Sequence, residues 1–189
     1  NISEIHEDVY CMFTRFEEKG RLYLLYGNHN IVRRKNPAFL EAVVLRSESF
    51  PEKSLYLTHG HQASLLNSTL WPLARFLVRY FWSPLENLGF LDPTSAAKNY
   101  EVKEKCEQNL RRWAEERHHI LITGHTHRPV LPQEPSFYYN TGSCVHPRCI
   151  TCIEIERGEL TLVKWTMNAR IDSILYVARE IISGPVKLL

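Results

Sequence analysis

The sequence has little net charge, no long apolar run and few aspartates. Its 23 Lys and Arg residues against 21 Asp and Glu leave a formal charge of +2 at pH 7. The basic residues are scattered along the chain, so nothing indicates a nucleic-acid partner. No stretch reaches the roughly 18 apolar residues that a membrane span requires. We therefore expect a cytoplasmic protein, with the aromatic segment 70–82 as the candidate for peripheral contact with a membrane.

Cysteine is also sparse and unpatterned. The five cysteines are an odd number without a repeated spacing, which argues against a secreted disulfide framework and for a reducing compartment. Cys149 and Cys152 form a single Cys-x-x-Cys pair within a β-branched run. Residues i and i+3 of a strand point to opposite faces, so we interpret them as ordinary strand cysteines.

The 189 residues, 44% of them apolar, fit one soluble globular domain. Alternating and helical apolar patterns predict elements in a mixed order. The expected helices are 3–19, Pro37–Leu45, 95–119 and Asp172–Ile182. The expected strands are 21–26, 54–58, 120–123 and 137–139, followed by a hairpin of 150–156 with 159–165. This mixture predicts an α/β or α+β layered domain.

A helical insertion or lid is expected at about 62–97. Its segment Leu70–Trp82 is apolar on almost every face except at Arg75 and Arg79. A helix buried on most sides, a lid over a ligand, a dimer contact and a membrane-surface anchor all remain open for it.

Three predicted strands end in loops rich in metal-binding side chains. The loops are Gly27-Asn28-His29, His59-Gly60-His61 and Gly124-His125-Thr126-His127. Three imidazoles and one amide oxygen, from Asn28, His59, His125 and His127, are donors suited to a divalent ion. His29 would then face the substrate, either as a proton donor to the leaving group or as a clamp on a phosphoryl oxygen. We expect His61, His118, His119 and His146 to be hydrogen-bonded surface residues.

In this order, the three loops resemble the third, fourth and fifth motifs of the calcineurin-like metallophosphoesterases, over residues 22 to about 165. The resemblance implies a four-layer αββα fold with two divalent metals of the Mn, Fe or Zn type at the strand ends. It implies that Asn28, His59 and His125 hold one metal, that His127 belongs to the other, and that His29 faces the substrate. The family hydrolyses phosphate esters by attack of a hydroxide held by the metals.

Two features depart from the family pattern. The Asp-x-His and Gly-Asp-x-x-Asp motifs are absent, since the only aspartates are Asp8, Asp92 and Asp172. We expect residues 1–189 to be one metallophosphoesterase domain that lacks its N-terminal strands, belongs to a longer enzyme and is inactive alone. The alternative is an inactive binding module. Asn30 is the second departure, because the family usually has a carboxylate there to orient the histidine and stabilise its protonated form.

The substrate is expected to be a phosphomonoester, a phosphodiester or a pyrophosphate. Arg33 and Arg128 follow the metal-binding loops and are candidate phosphate contacts. The UDP-2,3-diacylglucosamine hydrolases are similar in having a helical insertion after the fourth motif and an element like Gly124–Pro129. This similarity suggests a further alternative, a lipid-linked pyrophosphate hydrolase with an aromatic lid.

Overall fold

The computed structural model describes residues 6–47, 50–63, 100–146 and 148–188, without the side chains of 47 and 50–53. These ranges contain two α-helices, α1 (Glu7–Glu18) and α2 (Tyr100–Arg117), and two short 3-10 helices, Ile31–Lys35 and His61–Ala63. They also contain nine strands: β1 (Leu24–Leu25), β2 (Phe39–Leu40), β3 (Ala42–Ser47), β4 (Phe50–Thr58), β5 (Ile120–Thr123), β6 (Tyr138–Asn140), β7 (Cys149–Glu156), β8 (Glu159–Ala169) and β9 (Leu175–Lys187). The mixed α+β class predicted from the sequence is confirmed. The insertion at about 62–97, including 70–82, lies almost wholly outside the described residues.

The strands form three sheets. β1 and β2 make a short parallel pair, β3-β4-β5-β6 make a sheet of four, and β7-β8-β9 make an antiparallel sheet of three. Within the four-stranded sheet, β4, β5 and β6 run parallel to one another. Their carboxyl ends therefore share one edge, which is where the loops after β4 and β5 begin.

The side chains of β5 alternate between two hydrophobic cores, one on each face of the four-stranded sheet. Ile120 and Ile122 face a core shared with Leu160 and Leu162 of β8, whereas Leu121 faces the opposite side and packs with Leu110 of α2. Side chains on successive strand residues point to opposite faces, so one strand serves both cores. Helix α2, the four-stranded sheet and the three-stranded sheet thus stack as three layers. The fourth layer of the expected αββα arrangement does not occur among the described residues.

Most of the helices and strands predicted from the apolar periodicity are present in the structure. The helix expected at 3–19 is α1, and its apolar residues Val9, Met12, Phe13 and Phe16 stay exposed. The helix expected at 95–119 is α2, the strands at 120–123 and 54–58 are β5 and part of β4, and the hairpin is β7 with β8. The strand expected at 21–26 is reduced to Leu24–Leu25.

Two helix predictions were wrong. In place of a helix at Pro37–Leu45, β2 pairs with β1, and β3 pairs with β4. In place of a helix at Asp172–Ile182, β9 extends the hairpin in a ladder that begins at Ala169↔Leu175. Both segments contain β-branched residues, which suit a half-buried strand at least as well as a helix, and pairing with a neighbouring strand decided between them. No helix within the described residues is long and apolar enough to cross a membrane.

Candidate metal centre

The first site loop follows β1 and is closed by its own backbone and by Asn30. The Gly27 N–H donates to Asn30 Oδ1 at 2.5 Å, and the Asn30 N–H donates to the Gly27 carbonyl at 3.3 Å. The fold of this loop leaves His29 exposed and Asn28 half-buried. The Asn30 side chain, expected to orient His29, is thus engaged in closing the loop.

The second site loop packs directly against the first. A Cβ added to Gly27 would lie 2.5 Å from Nε2 of His59, so only glycine leaves room for that imidazole. Gly60 has a φ of +99°, and a Cβ there would also crowd Thr123 at 3.0 Å. Gly27 therefore allows the first loop to approach His59, and Gly60 allows the second loop to approach Thr123 of β5.

The third site loop is tied to the second by backbone hydrogen bonds. The N–H groups of Gly124 and His125 both donate to the carbonyl of His59, at 3.2 and 2.9 Å. The rings of His59 and His125 consequently lie 5.0 Å apart between centroids. The ends of β4 and β5 thus place two of the predicted ligands side by side.

The two histidines of the third loop have different environments. His125 is buried at 5% exposure, whereas His127 is exposed and adopts a left-handed φ of 58°. Nδ1 of His127 lies 3.5 Å from the Ser143 hydroxyl. A left-handed backbone is uncommon for a residue with a Cβ and is more frequent at functional sites. The two histidines thus differ in burial and in backbone conformation.

Three of the predicted donors carry a buried polar atom without a hydrogen-bond partner: Oδ1 of Asn28, Nδ1 of His59 and Nε2 of His125. Buried polar groups in folded proteins are nearly always satisfied, so three unsatisfied atoms on three adjoining loops require an explanation. An amide oxygen and two imidazole nitrogens are ligands that a borderline divalent cation accepts. The donor set therefore fits one metal ion.

His61 differs from its prediction. It is 2% exposed, and its ring lies 5.3 Å from that of His59 and 5.9 Å from that of Tyr26. Its Nδ1 has no hydrogen-bond partner either. It is thus a buried member of the histidine cluster and not a surface residue, because its ring packs against those of His59 and Tyr26.

Burial keeps the central histidines neutral. Burial lowers the pKa of His59 to about 3, with further lowering by His125, His61, His29 and His127. Burial likewise lowers the pKa of His125 to about 4, again helped by the other rings. At neutral pH both imidazoles therefore keep the lone pairs that a metal needs.

Negative charge is scarce at this centre. Within the described ranges, no group of three or more His, Cys, Asp or Glu side chains forms a complete metal-binding arrangement. Asp8 and Asp172 are both exposed, on α1 and in the β8–β9 turn. Neutral donors alone compensate a dication poorly, and the three loops carry no carboxylate within the described residues.

The two candidate phosphate-binding arginines contact aromatic rings. The guanidinium of Arg33 is exposed and lies 5.4 Å from the ring centroid of Phe39. Arg128 lies 5.0 Å from the ring centroid of Tyr100, and its Nη1 is 3.5 Å from Oε2 of Glu107. Arg128 is thus held beside the third loop by α2, with 37% of its side chain exposed.

The sequence did not predict a buried polar cluster beneath the third loop. It consists of Glu107, Thr126 and Asn140, at 7%, 0% and 0% exposure. The burial of Glu107 could have been predicted from the sequence, because position 107 lies three residues before Leu110 and seven before Ala114, on the apolar stripe of α2. A carboxylate at that position indicates a polar partner in the core.

Acid should destabilise the metal-free protein through His125. Its folded pKa of about 4 lies below the value near 6.5 of an unfolded histidine, so its contribution is complete above pH 6.5 and is lost as the pH falls toward 4. We expect a loss of about 2–3 kcal/mol from this residue between pH 7 and pH 4.5. Urea unfolding with EDTA measures it, and His125→Gln is the matched control. An equal pH dependence in the two proteins would contradict the burial of a neutral ring.

We compared the chain with models of protein families, with curated proteins and with solved structures, and found no match to any of them. The resemblance to the calcineurin-like metallophosphoesterases therefore depends on the sequence of the three loops alone.

Proposed function

We propose that this chain supplies the metal-binding loops of a metal-dependent phosphoesterase. The observation that carries the proposal is the set of three buried, unsatisfied donor atoms on Asn28, His59 and His125, which three separate strand-end loops bring to one edge. Three other buried atoms in the described residues also lack a hydrogen-bond partner, on His61, His119 and Arg128. The support for the proposal therefore comes from the position of the Asn28, His59 and His125 atoms on three adjoining loops.

Each of the site residues has a proposed role. Asn28, His59 and His125 would hold one divalent ion, and exposed His127 would contribute to a second. When bound, such ions supply Lewis-acid chemistry for phosphate hydrolysis. His29 is exposed beside Asn28, where it can donate a proton to the leaving oxygen or bind a phosphoryl oxygen. Arg128, beside His127, is the nearest guanidinium in sequence for a substrate phosphate.

Hydrolysis of p-nitrophenyl phosphate and bis-p-nitrophenyl phosphate with Mn²⁺ tests the proposal. The assay uses the complete reading frame, so that any carboxylate ligands encoded outside these 189 residues are present. We expect turnover of at least one ester, its loss with EDTA, and its recovery on adding Mn²⁺. Metal binding without hydrolysis of either ester would contradict the enzymatic proposal.

The second candidate is a binding module that keeps the scaffold without catalysis. The specific observation in its favour is the absence of any carboxylate from the three loops in the described residues, since a dinuclear centre needs negative bridging ligands. The third candidate, hydrolysis of a lipid-linked pyrophosphate, depends on the aromatic segment 70–82, which lies outside the described residues.

The substitution Asn30→Asp should raise turnover. Aspartate can accept the same hydrogen bond from the Gly27 N–H, and its charge would stabilise protonated His29. At a half-exposed site such a charge contributes about 0.5–1 kcal/mol, equivalent to a rate increase of roughly twofold to fivefold. Steady-state kinetics of the complete enzyme measure kcat. An unchanged kcat with unchanged metal content would exclude His29 as a proton donor, and Asn36→Asp controls for added charge in the same segment.

A further inference from the structure

Helix α2 carries a buried carboxylate that faces the third site loop. Glu107 is 7% exposed and lies on the same helix stripe as Leu110 and Ala114, both of which pack into the core. Burying a carboxylate is costly unless hydrogen bonds and an opposite charge compensate it. The burial of Glu107 therefore requires polar contacts that compensate its charge.

Both carboxylate oxygens of Glu107 are directed at the Gly124–Arg128 turn. Oε1 accepts a hydrogen bond from the Thr126 hydroxyl at 2.6 Å, and Oε2 lies 3.5 Å from Nη1 of Arg128. Thr126 is the residue between the two histidines, and Arg128 follows the second of them. A single side chain on the helix thus restrains both sides of His127.

The Thr126 hydroxyl is held from its other side by Asn140 at the end of β6. Nδ2 of Asn140 donates to Thr126 Oγ1 at 3.0 Å, and Oδ1 accepts from the Gly142 N–H at 2.8 Å. An amide NH₂ group can only donate, so the Thr126 proton is directed to Glu107. The hydroxyl between the two histidines therefore accepts a hydrogen bond from Asn140 and donates one to Glu107.

We propose that Glu107 is a positioning residue for the metal centre, acting through Thr126. By fixing Thr126, it directs His125 inward toward His59 and keeps His127 in its left-handed conformation at the surface. Helix α2 thereby sets the spacing of the two imidazoles that the resemblance assigns to different metals. The inference rests on the proposed metal site for its functional consequence, although the network itself is independent of any bound ion.

Two substitutions of Thr126 form a matched pair that tests this role. Thr126→Val keeps the shape and removes the hydroxyl, whereas Thr126→Ser keeps the hydroxyl. Isothermal titration of the complete, metal-free protein with Mn²⁺ gives the affinity, and thermal unfolding verifies that each variant is folded. We expect Thr126→Val to bind roughly 10- to 100-fold more weakly, as outer-shell substitutions at metal sites do, and Thr126→Ser to bind within about threefold of the unaltered protein. Folded Thr126→Val that binds as tightly as Thr126→Ser would overturn the proposal.

A rescue experiment separates positioning from charge. Glu107→Gln retains an oxygen that can accept from Thr126, so its affinity should fall much less than that of Glu107→Leu, which removes the acceptor. Equal losses in the two folded variants would assign the effect to charge and would overturn the role of the hydrogen bond. If Glu107→Leu does not fold, the comparison of Glu107→Gln with Thr126→Val decides, and equal affinities would count against the proposal.

A metal-free readout keeps this test separate from that of the proposed function. The imidazole ¹H–¹⁵N signals of His125 and His127 report the placement of the two rings without any ion. We expect Thr126→Val to shift or broaden these signals and Thr126→Ser to preserve them. If the unaltered protein does not bind Mn²⁺, the proposed function fails, and the imidazole signals alone then decide: unchanged signals in Thr126→Val would overturn the positioning role.

Discussion

Protein that carries His125→Ala is expected to bind its first divalent ion at least about 100-fold more weakly than the unaltered protein, since loss of an outer-shell residue alone costs 10- to 100-fold. His125 is the most buried of the three residues that carry the unsatisfied donor atoms, at 5% exposure. Its ring is neutral at pH 7, because burial lowers its pKa to about 4. An alanine leaves Asn28 and His59 as two neutral ligands, which is too few for a tetrahedral or octahedral ion.

Titration with Mn²⁺ under chelator competition measures this loss. His6→Ala, at the exposed start of α1, is the matched control and should bind normally. His125→Gln keeps more of the side-chain volume and serves if the alanine variant is unstable. Unaltered affinity in a folded His125 variant would exclude this residue from the metal site.

His29→Ala is expected to lower kcat by roughly 10²- to 10⁴-fold, the range that general acid–base groups contribute. The same substitution should leave metal affinity within about twofold, because the His29 side chain is exposed and none of its atoms is among the buried, unsatisfied donors. Substitution of His29 should thus lower kcat without lowering metal affinity, whereas substitution of His125 should lower both. Lys35→Ala, an exposed cation on the following 3-10 helix, is the control.

The leaving group distinguishes the two roles considered for His29. A proton donor is needed most when the leaving oxygen is basic, so the loss should be larger for phenyl phosphate than for p-nitrophenyl phosphate. A residue that only binds a phosphoryl oxygen should give similar losses for both esters. A kcat that His29→Ala does not change for either ester would exclude both roles.

The site loops could be predicted from the sequence because their signals are local. The apolar run Ile120–Thr123 ends at Gly124, and the histidines follow within three residues, so both the strand and the loop are encoded in adjacent positions. The approach of His59 to His125 could be anticipated only in outline. It depends on β4 and β5 pairing in parallel over a separation of more than 60 residues, as in Leu57↔Ile122.

The sequence-based predictions failed where contacts with distant parts of the chain determine the structure. Residues 175–182 carry apolar side chains that suit a helix or a strand, and the long ladder with β8 selected the strand β9. His61 has the same sequence context as a surface histidine, and its burial depends on packing against the rings of His59 and Tyr26. Glu107 could be recognised as unusual on its helix stripe, but its partner Thr126 lies 19 residues away.

Anomalous X-ray diffraction from crystals grown with Mn²⁺ would show whether the three loops bind a metal ion. We expect an ion at about 2.0–2.3 Å from Oδ1 of Asn28, Nδ1 of His59 and Nε2 of His125, the distances usual for oxygen and nitrogen ligands. Crystals of His125→Ala grown under the same conditions should lack that peak. An ion bound elsewhere, with these three atoms still without a partner, would exclude the proposed metal site.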